Sequence, residues 1–180
     1  MNARPAPCVL AFALQPTQSA PVDKAALLHA IIAQLEAALA LQTEAAHDSH
    51  DEATHEENRA EDKYDMRSQS AAYLAAGQAQ FATAIAGALA AYRHLSPRAF
   101  APGEAIAVGA VVTLEAQGRQ TVCYLGPQHG GLEVVVHGVP ATVVTAFSPV
   151  GRRLVGRQAG DRVYLPGHPK AVEHRILAVG

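Results

Sequence analysis

The sequence predicts an α+β protein in which an N-terminal antiparallel helical hairpin, a coiled coil, is followed by a small β-rich domain. Residues 23–95 carry two long stretches whose apolar positions recur every three or four residues, the period of a helix with one buried stripe. Residues 105–180 instead break into six short β-rich runs separated by turn residues. Composition changes between the two near residue 96, so a chain of 180 residues divides more naturally into two small units than one medium one.

Residues 1–22 read as a flexible or loosely docked arm. Pro7 to Leu14 is apolar but short, has only Arg4 before it, and runs into Gln15, Pro16 and Gln18 without a clear cleavage site, unlike a signal peptide. No unbroken run approaches the roughly 18 apolar residues of a membrane span.

The first helix is announced by Pro21 and by Asp23 as N-cap, and its stripe is Leu27, Leu28, Ile31, Ile32, Leu35, Ala38 and Leu39. The second carries Tyr73, Leu74, Phe81, Ile85, Leu89 and Tyr92 and stops at Ser96-Pro97. Two such stripes bury each other best as an antiparallel pair. Pairing Leu41 with Leu74 places the tip of the pair between Glu57 and Asn58, and pairing Ile32 with Ile85 places it between Asn58 and Arg59. Arms of roughly 34 residues, on the order of 50 Å, outreach a small domain, so their distal halves should stand in solvent.

Residues 96–104, with Pro102 and Gly103, read as a linker to a domain over 105–180. Its predicted strands are Ile106 to Glu115, Thr121 to Leu125, Leu132 to Val136, Thr142 to Phe147, Val163 to Leu165 and Val172 to Val179, with hairpin turns at Gln117-Gly118 and Gly130-Gly131. Between them, SPVGRRLVGRQAGDRV (Ser148 to Val163) reads as a very short helix with marked ends, then a turn, then a strand. Ser148 caps, Pro149 suits the first helical position, Gly156 closes the helix in the left-handed region, and Gly160-Asp161 turns the chain. Phe147, Leu154 and Val163 are expected in the core.

The formal charge of −2 is unevenly spread. Nine of the sixteen acids lie between Glu44 and Asp65 against Arg59 and Lys63, whereas from Arg152 onward six bases face two acids. Such polarity suits a protein that orients on a charged partner, although a solvated helix face has the same composition. Cys8 and Cys123 stand alone, with no CxxC and no companion His at ligand spacing, so neither a disulfide framework nor a cysteine zinc site is suggested, and a reducing cytoplasm is the simplest home. No basic patch interleaved with aromatics indicates direct, sequence-specific nucleic-acid binding.

The Ser148 to Val163 string resembles the signature of the bacterial Gre transcript-cleavage factors (GreA/GreB), in which Ser-Pro, a small apolar helix, Leu-x-Gly and Gly-Asp precede a strand. The helical hairpin, the Val108 to Leu114 and Cys123 to Gly126 segments, and a final strand from His174 to Val179 follow the family order with it, so the resemblance covers roughly residues 23–180. It implies an FKBP-like fold for the C-terminal domain and a monomer that binds RNA polymerase. Ser148, Pro149, Arg152, Arg153 and Arg157 would dock on the polymerase, and the hairpin would enter its secondary channel. The family tip looks like Asp-x-x-Glu-Asn-x-Glu-Tyr. Here Glu57-Asn58 matches Glu-Asn, Thr54 stands where the Asp would be, and the later Glu-Tyr is displaced to Glu61-Asp62-Lys63-Tyr64-Asp65.

By that resemblance Glu57 is the active tip residue, with Asp51, Glu56 and Glu61 as candidate helpers. Hard carboxylate oxygens suit the Mg²⁺ ions of transcript hydrolysis. The protein then has no cofactor or independent activity of its own and stimulates the polymerase's cleavage of backtracked RNA. The departure at Thr54 leaves open a regulator that occupies the channel without cleavage. A third reading is a metal-binding scaffold, because His47 with Asp51 and Asp51 with His55 are i,i+4 pairs on a helix, while His50 is poorly spaced. Prolyl isomerase activity would need a concave aromatic pocket built from Phe100, Tyr124, Phe147 and Tyr164 alone, and fold by itself does not carry that activity.

Overall fold

Asp23 begins the first helix as its residue type predicts. Its Oδ1 accepts from the N–H groups of Ala25 (2.9 Å) and Ala26 (3.2 Å), satisfying two of the donors that a helix start leaves open. The structure, a computed structural model, describes residues 22–54, 66–167 and 170–180; the side chains of 49–54, 66–69, 71 and 72 are outside the description. Helices α1 (Lys24–Thr54) and α2 (Met66–Arg93) precede a sheet of β1 (Val111–Ala116), β2 (Arg119–Gly126), β3 (Glu133–Val136), β4 (Val139–Thr145), β5 (Arg162–Leu165) and β6 (Val172–Val179). The single-turn helix α3 (Gly151–Leu154) lies between β4 and β5. The strand order is β3-β4-β2-β1-β6-β5, antiparallel except for the parallel pair β2 and β4.

Strand alternation sends side chains to two cores. Val111, Val122, Tyr124, Val134, Val136, Ala141 and Val143 share one cluster with Leu27, Leu28, Ile31 and Leu35 of α1 and with Ile85, Ala88, Leu89 and Tyr92 of α2. The first half of one helix thus meets the last half of the other, on the sheet. Val112, Leu114, Cys123, Leu125, Val144, Val163, Leu165 and Ile176 form the opposite cluster with Leu154, Ile106 and Phe100. Burial pushes the Cys123 thiol up to about 11.

Several expectations need correction. Leu41, Tyr73, Leu74 and Phe81, read as seam residues, are 64, 73, 57 and 66% exposed. Only the base of the helix pair meets the sheet, and the distal portions are rich in alanine, which leaves large side chains outside. Phe147, expected in the core, is 81% exposed. The chain turns sharply after β4, with Ser148 N–H donating to Thr145 O at 3.0 Å, and Leu154 fills the core at that corner. The opening strand starts at Val111 rather than Ile106, because Gly109 takes φ +92° and the Ala110 N–H closes a turn on Ala107 O.

Gln117-Gly118 is the predicted hairpin turn, with φ of 51° and 75°, the double left-handed geometry of a type I′ turn. Gly130-Gly131 is not a hairpin. It lies in the connection from β2 to edge strand β3, and the true second hairpin turns at His137-Gly138 (φ 51° and 80°) and lays β4 parallel to β2. Histidine in the left-handed region is uncommon, which hid this turn from a search for glycine and asparagine pairs.

By length and composition alone, Lys24–Asp48 and Tyr73–Arg93 are apolar enough to cross a membrane. Alanine supplies much of that character; the larger apolar residues Leu27, Ile31, Leu35, Ile85 and Leu89 are buried on the sheet.

The segment read as a linker is pinned to the start of α1. The Lys24 ammonium (4.4 Å from the ring centroid) and the Arg98 guanidinium (4.0 Å) both stack over the Phe100 ring. Lys24 Nζ also donates to Arg98 O. Glu104 accepts from Ala101 N–H at 2.9 Å and pairs with Arg98 at 2.7 Å, and the backbone hydrogen bond first, then the guanidinium, hold its carboxyl below the usual range. Partial burial, helped by Arg98 and opposed by Glu104, lowers Lys24 to about 8. Between pH 8 and the ordinary lysine value of 10.5 the unfolded chain therefore holds more protons at this site, and stability from it rises with pH. The raised Cys123 thiol acts in the opposite direction from about pH 9 upward, so the Lys24 contribution is read as a difference: urea unfolding at pH 7.5 and 9.5 should give the native protein a more favourable change with pH than Lys24→Met.

Candidate partner-docking surface

The corner from Thr145 to Asp161 is held by short-range bonds that explain its residue types. Ser148 Oγ donates to Thr145 O at 2.8 Å and accepts from Gly151 N–H at 3.0 Å, while Ser148 O accepts from Arg152 N–H at 3.0 Å. Ser148 thus caps the turn leading into α3, whose assigned first residue is Gly151. Gly156 (φ +78°) ends the turn and its N–H donates to Ile106 O at 3.0 Å, and Ile106 N–H donates to Arg157 O at 2.8 Å. Asp161 Oδ2 accepts from Gln158 N–H at 3.0 Å beside Gly160 (φ +96°), the side-chain turn that Gly-Asp favours.

This framework presents Arg152, Arg153 and Arg157 to solvent, with Pro149 exposed beside them and Ser148 half-buried. Arg152 Nε donates to Phe147 O at 2.8 Å, which fixes its direction. Among the described residues, Arg153 and Arg157 make no side-chain hydrogen bond or ion pair. Phe147 and Val155, exposed on the same corner, were absent from the predicted site. Phe147 and Val155 therefore put apolar surface on the same corner as the three exposed arginines. The local signal for Phe147 was its place directly before the capping serine, where a tight turn interrupts strand alternation.

Asp51 lies in the last turn of α1, but its side chain is outside the description, and Glu56, Glu57 and Glu61 lie wholly outside the described residues. The same holds for the tip at Glu57-Asn58 and for His55. His47 and Asp48 are exposed on α1, and no group of three metal-ligating residues occurs among the described residues. The aromatic set does not gather into a pocket: Tyr124 and Phe100 belong to opposite cores, and Phe147 and Tyr164 are exposed. A shallow depression on the open part of the sheet is lined by Glu115, Arg162, Glu173 and Arg175, with Arg162 and Glu173 paired at 3.3 Å. It has the composition of a solvated ion-pair ladder.

No family model matches the sequence, and no curated protein matches it. Among solved structures, the chain is similar to the GreA factor homolog 1 (Gfh1) of Thermus thermophilus, with 20% identity, 83% of this chain and 94% of that chain covered, and a TM-score of 0.36. It is likewise similar to Gfh1 of Thermus aquaticus, with 21% identity, 84% and 94% covered, and a TM-score of 0.36. A third similar structure is the transcription elongation factor GreA/GreB of Nitrosomonas europaea, with 18% identity, 62% and 91% covered, and a TM-score of 0.35.

Proposed function

We propose that this chain is a Gre-like transcription elongation factor: the C-terminal part, FKBP-like in this reading, anchors on RNA polymerase, and the helical hairpin carries its acidic tip into the secondary channel. The observation that carries the reading is the Ser148 to Val163 string, in which Ser-Pro, Leu-x-Gly and Gly-Asp occur in series. Seven acids between Asp48 and Asp62 supply the charge that a site built on Mg²⁺ attracts. Glu57 is the tip residue of choice, with Asp51, Glu56 and Glu61 beside it. The Mg²⁺ belongs to the polymerase, and the protein works as a cytoplasmic monomer.

Added to stalled elongation complexes in magnesium, the protein is expected to release short 3′ RNA fragments. Glu57→Ala should slow that release on the order of 10²-fold, the scale of the several kcal/mol a metal-directed carboxylate contributes. No release by the native protein would remove cleavage from its function. Reversing Arg152 and Arg153 to Glu should weaken polymerase binding roughly tenfold at low salt and by less at high salt, as exposed charges are screened. Pull-down titrations at two ionic strengths read this directly.

Thr54, the last residue of α1, favours a second reading, since the family has an Asp at that position. A channel-blocking regulator would bind polymerase and lower RNA synthesis while leaving backtracked transcripts intact. The same reaction mixture separates the two.

A further inference from the structure

The helix pair leaves one apolar face bare. On α2, Leu74, Phe81, Ile85, Ala88 and Tyr92 follow one another at steps of seven, four, three and four residues, so they form a single stripe. Its lower part is buried on the sheet, but Phe81 and Leu74 are more than half exposed. On α1, Leu41 stands two heptads beyond the fully buried Leu27, about 40° from it around the helix. Ile31 and Leu89 mark the centres of the two buried runs. An equal rise from each brings Leu41 to within about a turn of Phe81. The face that the sheet covers at the base therefore continues past the sheet as uncovered leucine and phenylalanine.

We propose that this chain's own N-terminal segment, Cys8 to Leu14, docks on the face formed by Leu41, Leu74 and Phe81. The segment reads CVLAFAL, with no charged residue. Its tether starts on the correct side, because Val22 packs against the same cluster that buries the lower stripe. The reach matches as well. From Lys24 to Leu41 the helix rises roughly 26 Å, and the eight steps from Leu14 to Val22 span about 25–28 Å when extended. Size argues against a second copy as the occupant. The bare side chains amount to on the order of 300–400 Å² of apolar surface, about what one short segment covers and under half the ~800 Å² that each partner of a stable dimer buries. The inference stands apart from the polymerase reading, since it concerns contacts within one chain.

Cys8 makes the test direct. Cys123 is buried and its thiol is pushed up to about 11, so at pH 7 a methanethiosulfonate spin label takes Cys8. In methyl-labelled full-length protein, the label is expected to at least halve the signals of Leu41 and Leu74 while leaving Val135 and Val155, exposed elsewhere, unchanged. The double variant Leu74→Ser/Phe81→Ser, altered only at exposed positions, should keep its helix content and recover the Leu41 signal. Unchanged Leu41 and Leu74 signals in the native sequence would overturn the proposal. So would broadening that survives the double variant. A mixture of spin-labelled and methyl-labelled molecules should show no broadening; loss of Leu41 signal there would assign the face to a second copy and overturn the intramolecular contact.

Discussion

Tyr92→Ala is expected to lower the unfolding free energy by about 3–5 kcal/mol, the range for removing a large aromatic side chain from a closed core. The residue is fully buried at the point where α2 meets the sheet, its ring centroid 6.5 Å from that of Tyr124. Its hydroxyl donates to Gln128 O at 2.9 Å, and burial first, then the neighbouring Tyr124, pushes its ionisation above the ordinary tyrosine range. Gly126 is part of the same arrangement, because a Cβ there would stand on the Tyr92 hydroxyl. Tyr92→Phe keeps the packing and loses one hydrogen bond to a carbonyl near solvent, so its cost should be only about 0.5–1.5 kcal/mol. Urea denaturation of the two variants separates packing from polarity. Equal losses would mean that the hydroxyl contact, not the ring, ties the helices to the sheet.

Gly151→Ala is expected to cost about 2–3 kcal/mol and to disturb the whole corner carrying Arg152 and Arg153. An added Cβ would collide with the Thr145 carbonyl, which is backbone and already accepts from both the N–H and the hydroxyl of Ser148. Moving that carbonyl breaks the capping arrangement as well as the contact. Gly156→Ala is the useful comparison. Its Cβ would meet open space, and only the positive φ is penalised, at about 1–2 kcal/mol. Denaturation midpoints should therefore rank Gly151→Ala below Gly156→Ala, with amide shifts of residues 145–148 moving only in the former. The reverse order would show that the turn is slack. On the proposed function, Gly151→Ala should also weaken polymerase binding without touching the acidic tip.

Local chemistry made much of this architecture readable. Asp23 as a cap, Ser96-Pro97 as a stop, Gln117-Gly118 as a hairpin turn, and Ser148, Gly156 and Gly160-Asp161 at their corner each act within a few residues, so short-range sterics and hydrogen bonding determine them. The helical stripes were equally plain at their buried ends, from Leu27 to Leu35 and from Ile85 to Tyr92.

What the sequence by itself determined is the kind and order of the elements and the residues that begin and end them, because caps, turns and periodicity are properties of neighbouring residues. Which faces are covered was decided by tertiary structure alone. The same stripe is core at Ile85 and surface at Phe81 because the sheet extends only so far along the helices, and Phe147 is outside while Leu154, the last residue of α3, fills the core at that corner. Likewise β2 and β4 run parallel through a hairpin at His137-Gly138 that carries only half of the usual turn signal. Burial depends on where the partner surface ends, and periodicity along one element does not contain that distance.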